Sequence, residues 1–154
     1  MRARTLLLLL IVCSFAAALY AADDPAMGTW KLNEAKSKIA AGSSKNTTVV
    51  YAPDGDNIKL TTDGVDSKGN PVHGEWVGKF DGKDYPVTGD PNVDARSFKK
   101  AGERSYDITN KKGDKVVGTA KVEIAKDGKT RILTAHGATA DGKKVTNTYM
   151  YDKQ

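Results

Sequence analysis

Between Thr47 and the C-terminus, short glycine motifs recur at a near-regular beat and leave room for little except short strands. They are Pro53-Asp54-Gly55-Asp56, Ser67-Lys68-Gly69-Asn70-Pro71, Asp81-Gly82-Lys83, Thr88-Gly89-Asp90-Pro91, Ala101-Gly102-Glu103, Lys111-Lys112-Gly113-Asp114, Lys126-Asp127-Gly128-Lys129 and Ala140-Asp141-Gly142-Lys143. Glycine reaches positive φ at no steric cost and Asp or Asn tolerates it, as tight hairpin loops require. Eight such turns imply roughly nine strands.

The segments between turns alternate with period two, as half-buried strands do. From Val72 to Phe80 one face carries Val72, Gly74, Trp76, Gly78 and Phe80, against His73, Glu75, Val77 and Lys79 on the other. From Val116 to Ile124, Val116, Gly118, Ala120, Val122 and Ile124 alternate with Val117, Thr119, Lys121 and Glu123. Further strands are expected at Thr47 to Ala52, Asn57 to Thr62, Ser105 to Asn110, Thr130 to Ala138 and Lys144 to Tyr151. One region breaks the pattern: Asn33 to Lys45, where Glu34, Ala35, Lys36, Ile39, Ala40 and Ala41 suit a short helical segment before Gly42-Ser43-Ser44. No long crossover separates the strands. The expected fold is therefore all-β, an up-and-down antiparallel meander of eight to ten strands, closed because closure removes unpaired edges.

The start of the chain has a different character. Arg2 and Arg4 precede an apolar run from Leu6 to Val12 that continues through Phe15 to Ala18: a basic start, a short apolar stretch and small residues, the parts of a secretory signal peptide. The run is too short, and Asp23 and Asp24 follow too closely, for a membrane span of about 20 apolar residues. Residues 1–21 are thus expected to be removed near Ala21 or Ala22. That leaves a single domain, residues 22–154, periplasmic or secreted, with no integral span and expected to be a monomer. Cys13, the only cysteine, leaves with the signal, so the mature chain has no thiol for a disulfide, a nucleophile or a metal site. The whole chain has 24 basic and 19 acidic residues; loss of Arg2 and Arg4 leaves 22 against 19, a charge of +3. Lysines scattered among Asp and Gly at turns form no basic run with interleaved aromatic residues, which argues against nucleic acid as a partner.

Gly28-Thr29-Trp30-Lys31-Leu32 resembles the G-x-W opening of the calycins, the lipocalins and the fatty-acid-binding proteins. The final Thr148-Tyr149-Met150-Tyr151-Asp152-Lys153 resembles the closing strand of the fatty-acid-binding proteins. A looser likeness, through Gly28 to Asn33 and Asp81 to Pro91, is to small exported proteins of environmental bacteria with no assigned activity. The calycin resemblance implies a barrel of eight or ten strands around a small, mostly apolar ligand, with Gly28 and Trp30 forming a structural plug at one end. Two departures bear on function. Tyr149 stands where the fatty-acid-binding proteins place the arginine of their carboxylate clamp, two residues before Tyr151, and Asn33 to Lys45 is too short for a two-helix lid. Arg131, in the penultimate strand, supplies the missing charge if it points inward; an outward, solvated arginine is the commoner arrangement.

Other chemistry finds little support in the residues. His73 and His136, the only histidines, stand alone beside glycines without the partners that metal or catalytic sites need. Asp54-Gly55-Asp56-Asn57 and Asp63-Gly64-Val65-Asp66 lack the spacing of a calcium loop and suit turns. Nucleophile elbow, phosphate loop and dinucleotide fingerprint are all missing. Trp76, Phe80, Tyr106, Tyr149 and Tyr151 fall on predicted inward faces, either as plain core or as the lining of a ligand site. The reading is a binding protein and no enzyme, without cofactor or metal, holding a small apolar molecule with Trp76, Tyr106, Arg131, Tyr149 and Tyr151. The alternative is an envelope-associated or inhibitory interaction domain whose barrel is filled.

Overall fold

The computed structural model describes residues 24–139 and 141–154; the expected signal segment, residues 1–21, and its expected cleavage site lie outside the described residues. Ten strands follow one another: β1 (Gly28–Leu32), β2 (Lys45–Asp54), β3 (Asn57–Val65), β4 (Pro71–Gly78), β5 (Asp81–Thr88), β6 (Ala95–Gly102), β7 (Ser105–Lys112), β8 (Lys115–Ile124), β9 (Thr130–Ala138) and β10 (Lys144–Lys153). Each pairs antiparallel with its neighbour in the chain, and β1 also pairs with β10 to close the barrel. At the closure Trp30 faces Lys153 and Leu32 faces Tyr151. This is the all-β closed meander expected from the turns, and it is compatible with the calycin-like fold.

Seven of the eight predicted turn glycines, all but Gly102, have positive φ. The alternation holds too: Gly74, Trp76 and Gly78 are buried on β4 while His73 and Val77 are exposed. The charged outer faces of β3, β4 and β8 carry the ion pairs Lys59–Glu75 at 2.9 Å and Lys121–Glu123 at 3.0 Å. Charges of this kind suit a wall that faces water and are costly against lipid.

The expected helical segment is shorter than the pattern suggested. Only Glu34–Lys36 turns, as a single 3-10 turn capped by the Asn33 side chain. Tertiary contacts claim the rest. Lys38 bridges to Thr148 on β10, the Ala40 amide donates to Asn147 Oδ1 at 2.8 Å, and Asn147 Nδ2 donates to Ser43 Oγ at 2.9 Å. The Tyr149 and Tyr151 hydroxyls donate to the carbonyls of Ser44 and Asn46 at 2.9 and 3.0 Å. Residues 38–44 thus form a strap, with a turn closed by the Ser43 amide on the Ala40 carbonyl, tied to β10, and backbone groups bound in this way are not free to wind into a helix.

One end of the barrel is solid. Trp76 packs on Phe98 with ring centroids 4.7 Å apart and Phe80 on Tyr106 at 4.8 Å, while Tyr51 meets both phenylalanines edge-on. The segment before β1 seals this floor. Trp30 is fully buried and its indole N–H donates to the Ala26 carbonyl at 2.8 Å. Asp24 accepts from the Tyr106 hydroxyl and from Lys100 at 2.9 Å. Gly28 and Trp30 lie at this end of the barrel.

The weakest seam lies between β4 and β5, where register pairing is limited to Glu75 with Thr88 and Trp76 with Val87. Gly89, just beyond it, has φ 81° and a Cβ there would lie 2.0 Å from the His73 carbonyl oxygen. Gly55 shares the positive φ but has open space around it. Gly55→Ala is expected to cost about 1 kcal/mol and Gly89→Ala about 2–4 kcal/mol, since only the second adds a backbone clash. Urea unfolding of the two variants measures the difference; equal midpoints would show that the seam yields freely.

Candidate functional site

Above the aromatic floor the barrel is hollow. A cavity of about 850 Å3 is lined by every strand but β1 and β5, β4 contributing only Val72, together with loop residues at the opposite end that include Ser43, Ser44, Asp66, Ser67, Asp90 to Val93 and Thr139. Ten strands make a wider barrel than eight, whose interior is just filled by side chains or one small ligand. The wall is built by period-two placement: Leu60 on β3, Phe98 on β6, Ile108 on β7, Val122 on β8 and Leu133 on β9 all project into it. Pockets of about 300–1,000 Å3, mostly apolar with a few placed polar groups, are the usual form of small-molecule sites.

The most unusual of those polar groups is Arg131. It is 3% exposed and lines the cavity near the floor. Its Cζ lies 4.5 Å from the Tyr151 ring centroid, 5.1 Å from that of Trp30 and 5.3 Å from that of Tyr51. Three aromatic faces hold the cation by their quadrupoles, each worth about 0.5–2 kcal/mol. They give it no hydrogen bond: its Nε is buried without a partner. Among the described residues no carboxylate pairs with it. A buried guanidinium in this state is a donor and a charge without an acceptor.

The other residues singled out from the sequence divide into two groups. Tyr149 and Tyr151 line the cavity with Arg131, yet their hydroxyls are engaged with Ser44 and Asn46, so what they offer a ligand is ring surface. Trp76 and Tyr106 lie in the floor cluster outside the cavity lining, with the Trp76 N–H given to the Arg96 carbonyl at 2.9 Å. His73 is on the outer wall, where its Nδ1 lies 2.6 Å from Asp63, and this carboxylate pushes its pKa up. His136 stands exposed at the cavity rim. Asp66, one of the loop acids, accepts from the Lys68 and Asn70 amides, a turn role.

Sequence reasoning passed over Arg96, Tyr51 and Asn110, all in the lining. Arg96 Nε donates to Asn110 Oδ1 at 2.6 Å, and desolvation draws the Arg96 pKa down. The signal was available in the alternation. Arg96 shares a face with Phe98 on β6, as Arg131 does with Leu133 and Ala135 on β9.

Burial pushes the phenols of Tyr106, Tyr149 and Tyr151 above the ordinary value of 10.0. The stability that these neutral phenols hold is intact below pH 10 and lost as pH rises past it, because the unfolded chain releases those protons first. The slope approaches about 1.4 kcal/mol per pH unit for each phenol only while pH lies between its unfolded and folded pKa. Denaturant titrations at neutral and at strongly alkaline pH measure this; a flat profile would show the hydroxyls to be freely solvated.

No protein-family model and no curated protein matches the chain. The fold and site define a class of protein by geometry: a closed ten-strand antiparallel barrel, plugged by aromatic residues at one end and hollow toward the other.

Proposed function

We propose that this protein is an exported, calycin-like binding protein that holds one small, mostly apolar molecule in the barrel, with Arg131 orienting its polar end. The observation that carries the reading is the cavity of about 850 Å3 with the buried Arg131, whose Nε has no hydrogen-bond partner, at its base. An interior kept open costs the dispersion contacts that packing would give, and a buried cation costs more. Both costs are understandable if a ligand repays them. The same hollow weighs against a filled barrel acting only through its surface. The reading needs no covalent step, so we assign binding rather than catalysis, to a monomer in the periplasm or outside the cell.

The test is binding of an anionic, environment-sensitive apolar fluorophore. Wild-type protein is expected to take up one equivalent with micromolar affinity, and Ala120→Trp or Leu133→Trp, which place an indole in the cavity, to abolish uptake while the strand circular dichroism persists. Equal binding by the filled variants would place the fluorophore on the surface and remove the support for this reading.

A further inference from the structure

The cavity holds a second guanidinium, and the two lie at different depths. β9 begins at the plugged end, with Arg131 as its second residue, next to the Ala125 to Lys129 turn. β6 begins at the open end, with Arg96 as its second residue, just after the cavity-lining loop residues Asp90 to Val93. Phe98 follows Arg96 two residues deeper, and Ile108, Val122 and Leu133 fill the wall between. Neither arginine makes a salt bridge among the described residues. Asp90 acts on Arg96 from the rim but stands beyond ion-pair distance. Arg96 is anchored through its Nε to Asn110, and the Arg131 guanidinium is flanked by three aromatic rings.

We infer that the ligand carries two anionic groups joined by an apolar body, one group meeting Arg131 at the floor and the other meeting Arg96 nearer the mouth. This rests on the carrier reading and narrows its ligand to elongated amphipathic dianions. A buried guanidinium at the floor and a half-buried one above it, neither in an ion pair, give the cavity two separate sites for negative charge. A single anion at the floor would neutralise one and leave the other desolvated. A guanidinium is well suited to the task, since its planar fork matches a carboxylate two donors at a time. The apolar wall between the two sites fits a hydrocarbon or aryl spacer.

Calorimetric titration with a length series of α,ω-alkanedicarboxylates, the matching monocarboxylates and the matching neutral alcohols tests this. At the spacer length that spans the two arginines, the dicarboxylate is expected to bind at least about tenfold tighter than its monocarboxylate. Arg96→Met should erase that advantage, bringing the dicarboxylate to the affinity of its monocarboxylate, with Arg96→Gln as a second variant in case the first folds poorly. Arg131→Met should weaken both acids. Monocarboxylates that bind as tightly as dicarboxylates at every length would overturn the dianion inference and leave the carrier reading standing. Absence of binding by acids and alcohols alike would overturn both.

Discussion

Truncation of Trp76 to alanine is expected to destabilise the barrel by about 3–5 kcal/mol, the range for losing a large aromatic side chain from a core. Trp76 is 1% exposed and is the hub of the floor, with ring centroids 4.7 Å from Phe98, 5.8 Å from Tyr85 and 6.4 Å from Phe80. Its indole also reaches from β4 to the Arg96 carbonyl on β6, across the seam where β4 and β5 pair only briefly. The substitution therefore removes packing, leaves a carbonyl without its donor and loosens the part of the wall least able to bear it. Trp76→Phe keeps much of the packing and is expected to lose about half as much. Urea unfolding followed by circular dichroism reads both. A loss below about 1 kcal/mol for the alanine variant would show that the floor collapses readily around the gap.

Arg131 predicts the opposite pairing of effects. Arg131→Met is expected to raise the stability of the ligand-free protein by about 1–3 kcal/mol, because it exchanges an unpaired buried cation for an apolar side chain of similar length. The same change is expected to weaken anionic ligands by about 30-fold or more, the loss of a charge-assisted contact in a desolvated site. A structural arginine held by Trp30, Tyr51 and Tyr151 would behave otherwise: methionine would destabilise the protein through the lost cation–π contacts and leave ligand affinity unchanged. Thermal unfolding without ligand and calorimetry with it separate the two cases.

The fold was largely legible because its determinants are local. Turn residues such as Asp127-Gly128 mark the hairpins, although Asp63-Gly64, which suited a turn by the same chemistry, lies within β3, and period-two alternation tells which residues of β4 and β8 face inward. The strap over residues 38–44 was not legible, because what holds it is Asn147 and Tyr149, about a hundred residues away in the chain. Much of the site was hidden for the same reason. Nothing near Arg131 in the sequence announces Trp30, Tyr51 and Tyr151, which arrive from β1, β2 and β10 to surround it. The hydroxyls of Tyr149 and Tyr151 look available in the sequence and are bound by backbone in the fold. Arg96 shares its inward face with Phe98, but a charged residue in the polar stretch Asp94 to Ser97 reads more easily as surface.

The central claim, that the hollow barrel carries a ligand, is most directly tested by native mass spectrometry of the protein purified gently from the organism that makes it, followed by extraction and identification of whatever travels with it. The account predicts one amphipathic anion per chain, lost on Ala120→Trp substitution. A bare chain that also takes up no anionic apolar fluorophore would contradict it.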